Sequence, residues 1–272
     1  MSDIQWVAST GYAQIRTQTD YPAFLYYVLN TSKYNKAVMV RCTGSSYPAI
    51  NSEDLSKIPF YKCGIAEQKK IADFLSLLDE RIATQNKVID KLQSLIKGIT
   101  QNITLHNKPN VRISECLECT SSTLQESDAL RSGTYPVYGA NGIVGYLDNY
   151  STQDEAVYII KDGSGVGTVS YVTGQCSTTG TLNTLQAKEG YSLQYLYYIL
   201  KVFNFEPYKT GMAIPHIYFK DYGKAKIFCP SYTKQLQYAR LLSAIDGKVS
   251  TEQNSLASLS LQKQYLLRQM FI

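Results

Sequence analysis

The most regular pattern of hydrophobic positions is a seam of apolar residues at alternating steps of four and three. It comprises Ile71, Leu75, Leu78, Ile82, Gln85, Ile89, Leu92, Ile96, Ile99 and Ile103, and only Gln85 among them is polar. An average spacing of about 3.5 residues, kept over about five heptads, is typical of a helix that lies along another helix. The pattern therefore predicts one long helix over residues 65–105, a stretch without proline.

A second, weaker seam lies 167 residues further along the chain and indicates an internal repeat. It comprises Tyr238, Leu242, Ile245, Val249, Glu252, Leu256, Leu259, Lys263, Leu266 and Met270. Both seams carry a polar residue at the same place, and the same offset aligns Gln68 with Gln235. We therefore predict that a second long helix, residues 233–272, packs against the first. The pair is expected to be antiparallel if a pseudo-two-fold axis relates the repeats.

The apolar seam positions are the residues expected to pack between the two helices. They include Ile71, Leu75, Leu78, Ile82 and Leu92 in the first helix, and Leu242, Ile245, Val249, Leu256 and Leu259 in the second. Residues on the outward face, such as Arg81, Lys87 and Lys91, face either a partner protein or solvent. The sequence does not decide between these two roles.

The residues before the first long helix, 1–64, have the pattern of one helix among short extended segments. Tyr21–Asn30 is predicted to be a helix with proline in its first turn, where a missing N–H costs nothing. Ala37–Arg41 fits either the end of a helix or a strand. Ile58–Tyr61 resembles a short strand before the long helix.

The residues between the long helices are rich in strand signals. Tyr135–Tyr146 punctuates aromatic and β-branched residues with glycine, which is typical of strands joined by tight turns. Ala156–Ile160 and Thr168–Val172 are predicted strands, and the glycine-rich stretch 161–167 is the predicted turn between them.

The second half of the chain repeats the first and adds to it. Tyr191–Asn204 repeats the tyrosine-rich helix, and Ile227–Pro230 repeats the short strand before the long helix. Residues 108–170 have no counterpart in the first half. We therefore expect residues 1–64 to form a partial first domain and residues 106–232 a complete second one, so that the chain begins inside a module.

Composition and charge change this picture little. The net charge of +5 and the pI of about 8.7 permit a polyanionic partner without requiring one. The 23 tyrosines, beside eight phenylalanines and one tryptophan, suit binding surfaces because tyrosine is apolar in its ring and polar at its tip.

The six cysteines include Cys116 and Cys119, whose spacing is typical of zinc ligands. No second cysteine pair or histidine pair accompanies them, so we expect no metal site. The chain also has neither a signal-peptide pattern nor an apolar run long enough to cross a bilayer. We therefore expect a cytoplasmic protein with reduced thiols and no membrane contact.

Three further elements follow one another in a fixed order. The first is Glu67–Asp79, preceded by a short proline-containing strand. The second is Tyr135–Tyr146, followed by a Lys-Asp-Gly turn and Gly167–Tyr171, and the third is Thr210–Pro215. In this order, and over most of residues 20–272, the chain resembles the DNA specificity subunit of type I restriction-modification systems.

The resemblance implies α/β (α+β) target-recognition domains that are separated by two long antiparallel coiled-coil helices. Each domain would read one half of a bipartite site in double-stranded DNA, without a catalytic role. Modification (methyltransferase) subunits would dock on the helices and methylate adenine with S-adenosylmethionine. Restriction subunits would add ATP-driven translocation and cleavage, so that S-adenosylmethionine, ATP and Mg²⁺ are expected only in partner subunits.

The chain departs from the family pattern in two places. The first recognition domain lacks roughly its N-terminal half, which a second copy in a homodimer would make good. In addition, Ser177–Thr181 stands where a more polar stretch with His or Asn is expected.

The residues expected on the DNA face share polar or cationic side chains in the predicted turns and loops. They are Tyr138, Asn141, Lys161, Asp162, Ser164, Lys209, His216 and Lys220, with Lys224 a further candidate for phosphate contact. Asparagine pairs with adenine in the major groove, and lysine serves phosphate or guanine. The plainer alternative stays open, because a hairpin turn explains the glycines between residues 161 and 167 and most surface lysines are simply solvated.

Two other classes of function are open to a chain of this kind. An enzyme is disfavoured, because no Gly-x-Gly-x-x-Gly, P-loop or Asn-Pro-Pro-Tyr motif is present and Lys161–Gly167 lacks the Gly-Lys-Ser/Thr ending of a phosphate-binding loop. The main alternative to DNA recognition is a coiled-coil assembly scaffold, or a silent recombination remnant that has lost DNA reading.

Overall fold

The structure is a computed structural model that describes Ser9, residues 11–44 and residues 46–271. The other residues, which include the start of the predicted first domain and the last residue of the predicted second helix, lie outside the described part. The helices are α1 (Pro22–Leu29), α2 (Ser32–Arg41), α3 (Ser52–Ser56), α4 (Ile65–Leu105), α5 (Ile113–Cys116), α6 (Leu193–Val202), α7 (Phe219–Tyr222) and α8 (Tyr232–Met270). The strands are β1 (Val111–Arg112), β2 (Leu117–Ser121), β3 (Tyr135–Gly139), β4 (Gly142–Leu147), β5 (Glu155–Ile160), β6 (Val169–Thr173), β7 (Ser177–Thr178), β8 (Leu182–Ala187) and β9 (Lys226–Ile227).

The chain divides into two compact units. Unit 1 comprises residues 1–90 and 250–272, and unit 2 comprises residues 91–249. The long helices α4 and α8 each contribute one part to unit 1 and the other part to unit 2. The predicted fold class, mixed helix and sheet with two long helices, is confirmed.

The seam positions of both long helices are buried or half-buried. Leu75, Leu242, Val249 and Leu259 are buried, and Ile71, Leu78, Ile82, Leu92, Ile245 and Leu256 are half-buried. Leu77 and Leu241 lie off the seams and are 64% and 49% exposed. Each helix therefore buries one apolar stripe along its length, as a helix with this periodicity does.

Unit 1 is built around the first part of α4. Helix α1 begins at Pro22, and α2 is capped by the Thr31 hydroxyl, which accepts a hydrogen bond from the Tyr34 N–H at 3.2 Å. This cap makes Ala37–Arg41 the end of a helix rather than a strand. The core is formed by Phe24, Tyr27, Val28, Ala72 and Leu75, with Leu266, Leu267 and Phe271 of the C-terminal segment packed on it.

Within unit 1 the two long helices run antiparallel. Gln85 is hydrogen-bonded to Glu252, and Asp79 forms an ion pair with Lys263. Further towards the start of α4, the cluster that contains Leu75 packs against Leu266. Residues nearer the start of α4 therefore contact residues nearer the end of α8, as they do in antiparallel helices.

Unit 2 is organised around a four-stranded antiparallel sheet of order β2-β8-β5-β6. The central strand β5 has a neighbour on each side and contacts α6, which accounts for four consecutive buried residues from Ala156 to Ile159. A second sheet has the order β4-β3-β7, in which β3 and β4 form the predicted hairpin. A third, two-stranded sheet joins β1 to β9.

The internal repeat is visible as equivalent hydrogen bonds in the two units. Gln68 and its counterpart Gln235 are both buried, and each fastens the start of a tyrosine-rich helix to the segment before a long helix. The bonds are Tyr21 N to Gln68 Oε1 (2.8 Å), Gln68 Nε2 to Cys63 O (2.9 Å), Ser192 N to Gln235 Oε1 (2.9 Å) and Gln235 Nε2 to Pro230 O (2.9 Å). Both amide atoms of each buried glutamine are thereby satisfied.

One predicted strand is absent and another is displaced. Ile58–Tyr61 has no strand structure, so that prediction is wrong. Its counterpart in unit 2 forms β9, because β1 lies beside it and supplies the hydrogen bonds that an extended backbone needs. The predicted strand Ile227–Pro230 shares only Ile227 with β9.

Candidate nucleic-acid interface

The turn between β5 and β6, residues 161–168 and here called the glycine loop, closes the central hairpin of unit 2. Ile160 N donates to Thr168 O at 3.0 Å, and Gly167 N donates back to Ile160 O at 2.9 Å. Gly163 and Gly167 have φ of +93° and +90°, and residues with a Cβ rarely adopt this backbone conformation. The glycines are therefore required by the shape of this turn.

Residues 210–217, here called the proline loop, precede α7. Thr210 and His216 exchange two backbone hydrogen bonds, of 2.9 and 2.7 Å. Gly211 has φ of +87°, and a Cβ there would come within 2.4 Å of the carbonyl oxygen of Ile214. The loop is therefore pinned at its base, and it presents Met212 and Ile214 to solvent at its tip.

The two loops are joined side by side. Gly163 N donates to Pro215 O at 3.0 Å, and Ile217 N donates to Lys161 O at 2.9 Å. Asp162 Oδ1 lies 2.8 Å from His216 Nδ1, and both side chains are about one third exposed. Asp162 and His216, two of the predicted DNA-face residues, are thus brought together at one surface, and Lys161 joins them through its backbone carbonyl.

An aromatic residue that the sequence argument did not single out belongs to the same surface. The Tyr218 ring stacks on that of His216 with 6.4 Å between centroids, and Lys220 Nζ lies 5.2 Å from the Tyr218 centroid. Alternate residues of an extended segment point to the same side, so residue 218 was to be expected beside residue 216. Lys220 is thereby linked to the predicted set through Tyr218.

The remaining predicted DNA-face residues lie in different surroundings. Ser164 is exposed in the glycine loop, and Asn141 is exposed at the turn between β3 and β4. Lys209 Nζ lies 2.6 Å from Glu206 Oε1. Lys224 Nζ lies 3.8 Å from Asp221 Oδ1. In the described part of the chain, no hydrogen bond joins any of these side chains to the Asp162–His216 pair.

Tyr138 combines a core ring with a backbone link to the glycine loop. Its ring is half-buried, 5.7 Å from the Tyr158 centroid, and burial raises the pKa of its hydroxyl. The Tyr138 carbonyl accepts a hydrogen bond from Thr179 N at 2.9 Å. The Thr179 hydroxyl lies 2.8 Å from the Thr181 hydroxyl, and the Thr181 carbonyl accepts a hydrogen bond from Lys161 N at 3.0 Å. The Ser177–Thr181 stretch, which departs from the expected family pattern, therefore ties β3 to the glycine loop.

The cysteine pair has no arrangement suited to a metal ion. Among the described residues, no group of three or more His, Cys, Asp or Glu side chains is placed to hold one. Cys116 is buried, and its thiol donates to the carbonyl of Ile113 at 3.3 Å. Burial raises the pKa of the Cys119 thiol to about 11, against the opposing charge of Lys161.

Unit 1 carries a counterpart of the proline loop. Thr43 and Ala49 exchange two backbone hydrogen bonds, of 2.8 and 2.9 Å, and Gly44 has φ of +95°. Tyr47, the counterpart of Ile214, is 90% exposed. The repeat thus preserves the pinned base of this loop and changes the side chain at its tip.

The comparisons with known proteins agree with one another. The family model of the type I restriction modification DNA specificity domain matches residues 1–94 and 108–261. The EcoprrI specificity subunit of Escherichia coli is 25% identical over 194 residues, which are 71% of this chain and 43% of that protein. The type I specificity subunit S.MgeORF438P of Mycoplasma genitalium is 24% identical over 277 residues, covering 91% of this chain and 70% of that one. The chain thus spans less than half the length of its E. coli relative.

Solved structures show the same fold. The S subunit of a type I restriction-modification system from M. genitalium superposes with a TM-score of 0.68 at 20% identity, covering 92% of this chain and 72% of that chain. A chain from a study of complex assembly and conformational transition of the type I system gives 0.58 at 17% identity, with 92% and 70% covered. In the described part of this chain, none of the helices is both long and apolar enough for a membrane span. Because this family model matches residues in both halves of the repeat, the chain belongs to the type I restriction modification DNA specificity domain family.

Proposed function

We propose that this chain is a non-catalytic subunit that recognises a DNA sequence for a type I restriction-modification complex. The observation that carries the proposal is the junction of the glycine loop with the proline loop in unit 2. That junction gathers the side chains of Asp162, His216, Tyr218 and Lys220 on a scaffold that backbone hydrogen bonds pin, among them one to the Lys161 carbonyl. Rigid loops with cationic and hydrogen-bonding side chains suit DNA, because phosphate contacts position a protein and base-edge contacts specify the sequence.

The Asp162–His216 pair suggests how one side chain reads a base. When Nδ1–H of His216 donates to Asp162, the ring is held in one orientation and Nε2 remains for a contact outside the pair. Lys161 precedes Asp162 in the chain and Lys220 follows His216 by four residues, and both are proposed to reach phosphate oxygens. Asn141 and Ser164 are exposed and are proposed to reach the DNA from neighbouring turns.

The long helices are proposed to act as a spacer in a larger complex. At about 1.5 Å per residue, α4 is roughly 60 Å long, which suits a fixed separation between two halves of a bipartite site. Methyltransferase subunits would dock on these helices and restriction subunits would join the complex, with S-adenosylmethionine, ATP and Mg²⁺ held by those partners. Association of two copies would bring two complete second domains into one complex, and a cytoplasmic location fits these partners.

The test is DNA binding by this chain together with its methyltransferase subunit, measured as a function of salt. Binding should weaken steeply as salt rises, and Lys161→Gln and Lys220→Gln should each reduce the slope of log K against log salt by about 1. Lys226→Gln, at an exposed position of β9 outside both loops and both long helices, is the matched control and should leave the slope unchanged. A complex that forms but binds all DNA sequences equally would favour the scaffold alternative.

A further inference from the structure

The tip of the proline loop is apolar, although the junction beside it is polar. Residues 211–215 read Gly-Met-Ala-Ile-Pro, so none of their side chains carries a charge, a hydroxyl or an amide. Met212 is fully exposed and Ile214 is 58% exposed. The neighbouring part of the same junction carries the Asp162–His216 pair. The loop thus holds two large hydrophobic side chains in solvent next to a hydrogen-bonding pair.

The backbone keeps this tip close to the imidazole. Thr210 and His216 exchange two backbone hydrogen bonds across the base of the loop. A Cβ at Gly211 would come within 3.1 Å of His216 Cδ2. Glycine therefore lets the imidazole lie against the loop backbone, next in the chain to Met212. The apolar tip and the His216 ring belong to one frame.

The repeat keeps this frame and changes its tip. Gly44 and Pro48 of unit 1 align with Gly211 and Pro215, and both glycines have positive φ, +95° and +87°. The three residues between glycine and proline change from Ser-Ser-Tyr in unit 1 to Met-Ala-Ile in unit 2. Because base contacts specify a sequence and other contacts only position the protein, an element that reads bases is expected to vary where it touches them. The change at the tip fits an element that reads different sequences in the two units.

The chemistry of DNA limits what an apolar tip can recognise. Phosphate oxygens and the donors and acceptors of the base edges are polar, and they make no favourable bond with methionine or isoleucine. The thymine C5-methyl group is the apolar group that the major groove displays, and it lies on the base pair whose adenine displays an acceptor at N7 and a donor at N6. A hydrogen-bonding imidazole beside apolar side chains therefore matches the major-groove edge of A·T pairs.

We propose that Met212 and Ile214 contact thymine methyl groups in the major groove and so make A·T pairs part of the sequence that unit 2 recognises. This inference rests on the proposed function and names the chemical group that the proline loop reads. Burial of one methyl group between a side chain and a base contributes about fourfold to affinity. The contact is specific, because cytosine has no methyl group at that position.

The experiment measures binding of the full chain, in complex with its methyltransferase subunit, to duplexes of the sequence that selection from random DNA enriches. Each thymine is replaced in turn by deoxyuridine, which forms the same base pair and lacks only the C5-methyl group. Wild-type affinity should fall by about fourfold at one or two thymine positions.

Protein variants test whether the loop tip is the source of this response. Met212→Ala and Ile214→Ala change exposed side chains, so the protein should keep its fold and its thermal stability. At least one variant should weaken binding to the thymine duplex by about fourfold and should bind the thymine and deoxyuridine duplexes equally. Leu130→Ala is the matched control, because Leu130 is a similarly exposed leucine outside both loops and both long helices. It should keep the full response to deoxyuridine.

Three results would overturn the inference while leaving the proposed function intact. One is sequence-specific binding in which no thymine position responds to deoxyuridine, and another is a response that survives in both tip variants. The third is equal weakening of both duplexes by the tip variants, as an apolar wedge between base pairs would produce. Wild-type binding that does not depend on DNA sequence would instead contradict the proposed function, and this inference with it.

Discussion

Gln85 and Glu252 stand 167 residues apart and are hydrogen-bonded to each other, with Gln85 Nε2 3.2 Å from the Glu252 carbonyl and in contact with its carboxylate. Because 167 residues is also the length of the repeat, each residue is the other's counterpart. The polar position of one seam therefore meets the polar position of the other. A polar pair in an apolar seam fixes the register of two helices, because a shift would place each polar group against an aliphatic side chain.

Replacing Gln85 with leucine should lower the free energy of unfolding by about 1–3 kcal/mol, because the Glu252 carboxylate loses a donor in a half-buried seam. Urea denaturation followed by circular dichroism measures the change. Asn86→Ala is the control, since Asn86 is exposed beside the seam and should change stability by no more than about 0.5 kcal/mol. Equal stability of Gln85→Leu and the wild type would contradict a role for the pair.

The two halves of the repeat should respond alike to truncation of equivalent core residues. Leu75 and its counterpart Leu242 are both fully buried, so Leu75→Ala and Leu242→Ala should each cost about 2–5 kcal/mol. The controls are Leu77→Ala and Leu241→Ala, because these leucines are largely exposed one or two residues away. The test is chemical denaturation of all four variants. Losses at the exposed positions as large as those at the buried ones would show that the seam is not the packed face.

A tyrosine–aspartate contact that recurs in both units predicts a loss of stability at alkaline pH. Tyr27 Oη donates to Asp79 Oδ2 at 2.9 Å, and Tyr198 Oη donates to Asp246 Oδ2 at 3.3 Å. Burial, and then the neighbouring carboxylate, raises the pKa of Tyr27 to about 12. The folded state thus binds this proton more tightly than the unfolded chain, whose tyrosine pKa is about 10. The stabilisation is complete below pH 10 and is lost between about pH 10 and 12.

Tyr27→Phe should therefore flatten the fall in stability over that pH interval. Thermal unfolding at a series of pH values from 8 to about 12 measures the effect. Tyr47→Phe is the control, because Tyr47 is almost fully exposed and its removal should leave the pH profile as it is. A Tyr27→Phe profile that runs parallel to that of the wild type through the whole interval would refute this assignment.

The pinned base of the proline loop can be tested at Gly211. Gly211→Ala combines a positive φ with a close approach to the Ile214 carbonyl, so it should distort the loop and weaken DNA binding about tenfold or more. Gly174→Ala has nearly the same φ, +88°, but its Cβ would meet nothing within 4 Å. It should cost only about 1 kcal/mol of stability and leave DNA binding unchanged. Equal DNA affinities of Gly211→Ala and Gly174→Ala would show that the shape of the proline loop does not affect DNA binding.

The sequence predicted the parts of the fold that periodicity encodes. The seam from Ile71 to Ile103 predicted α4, and the offset of 167 residues located α8 and aligned Gln68 with Gln235. The hydrogen bonds that these two glutamines make were seen only in the structure. The strand expected at Ile58–Tyr61 was wrong, because a strand depends on a neighbour as well as on its own residues. In unit 2 that neighbour is β1, which lies over one hundred positions away in sequence from β9.

The candidate interface was predictable only in part, for a similar reason. Single residues such as Lys161 and His216 stood out because their loops carry glycine, proline and charge. Their meeting depends on a contact between residues 54 positions apart, the Asp162–His216 bond, which no local pattern encodes. Tyr218 was missed because its contribution depends on two contacts: its ring stacks on His216, and the Lys220 ammonium lies over that ring.

The most direct test of DNA recognition is selection from a pool of random double-stranded DNA by this chain in complex with its methyltransferase subunit. Repeated rounds of binding should enrich a defined sequence. Asp162→Ala, which removes the partner of His216, should lower the enrichment while the complex still assembles. Recovery of unenriched DNA from a correctly assembled wild-type complex would contradict sequence recognition by this chain.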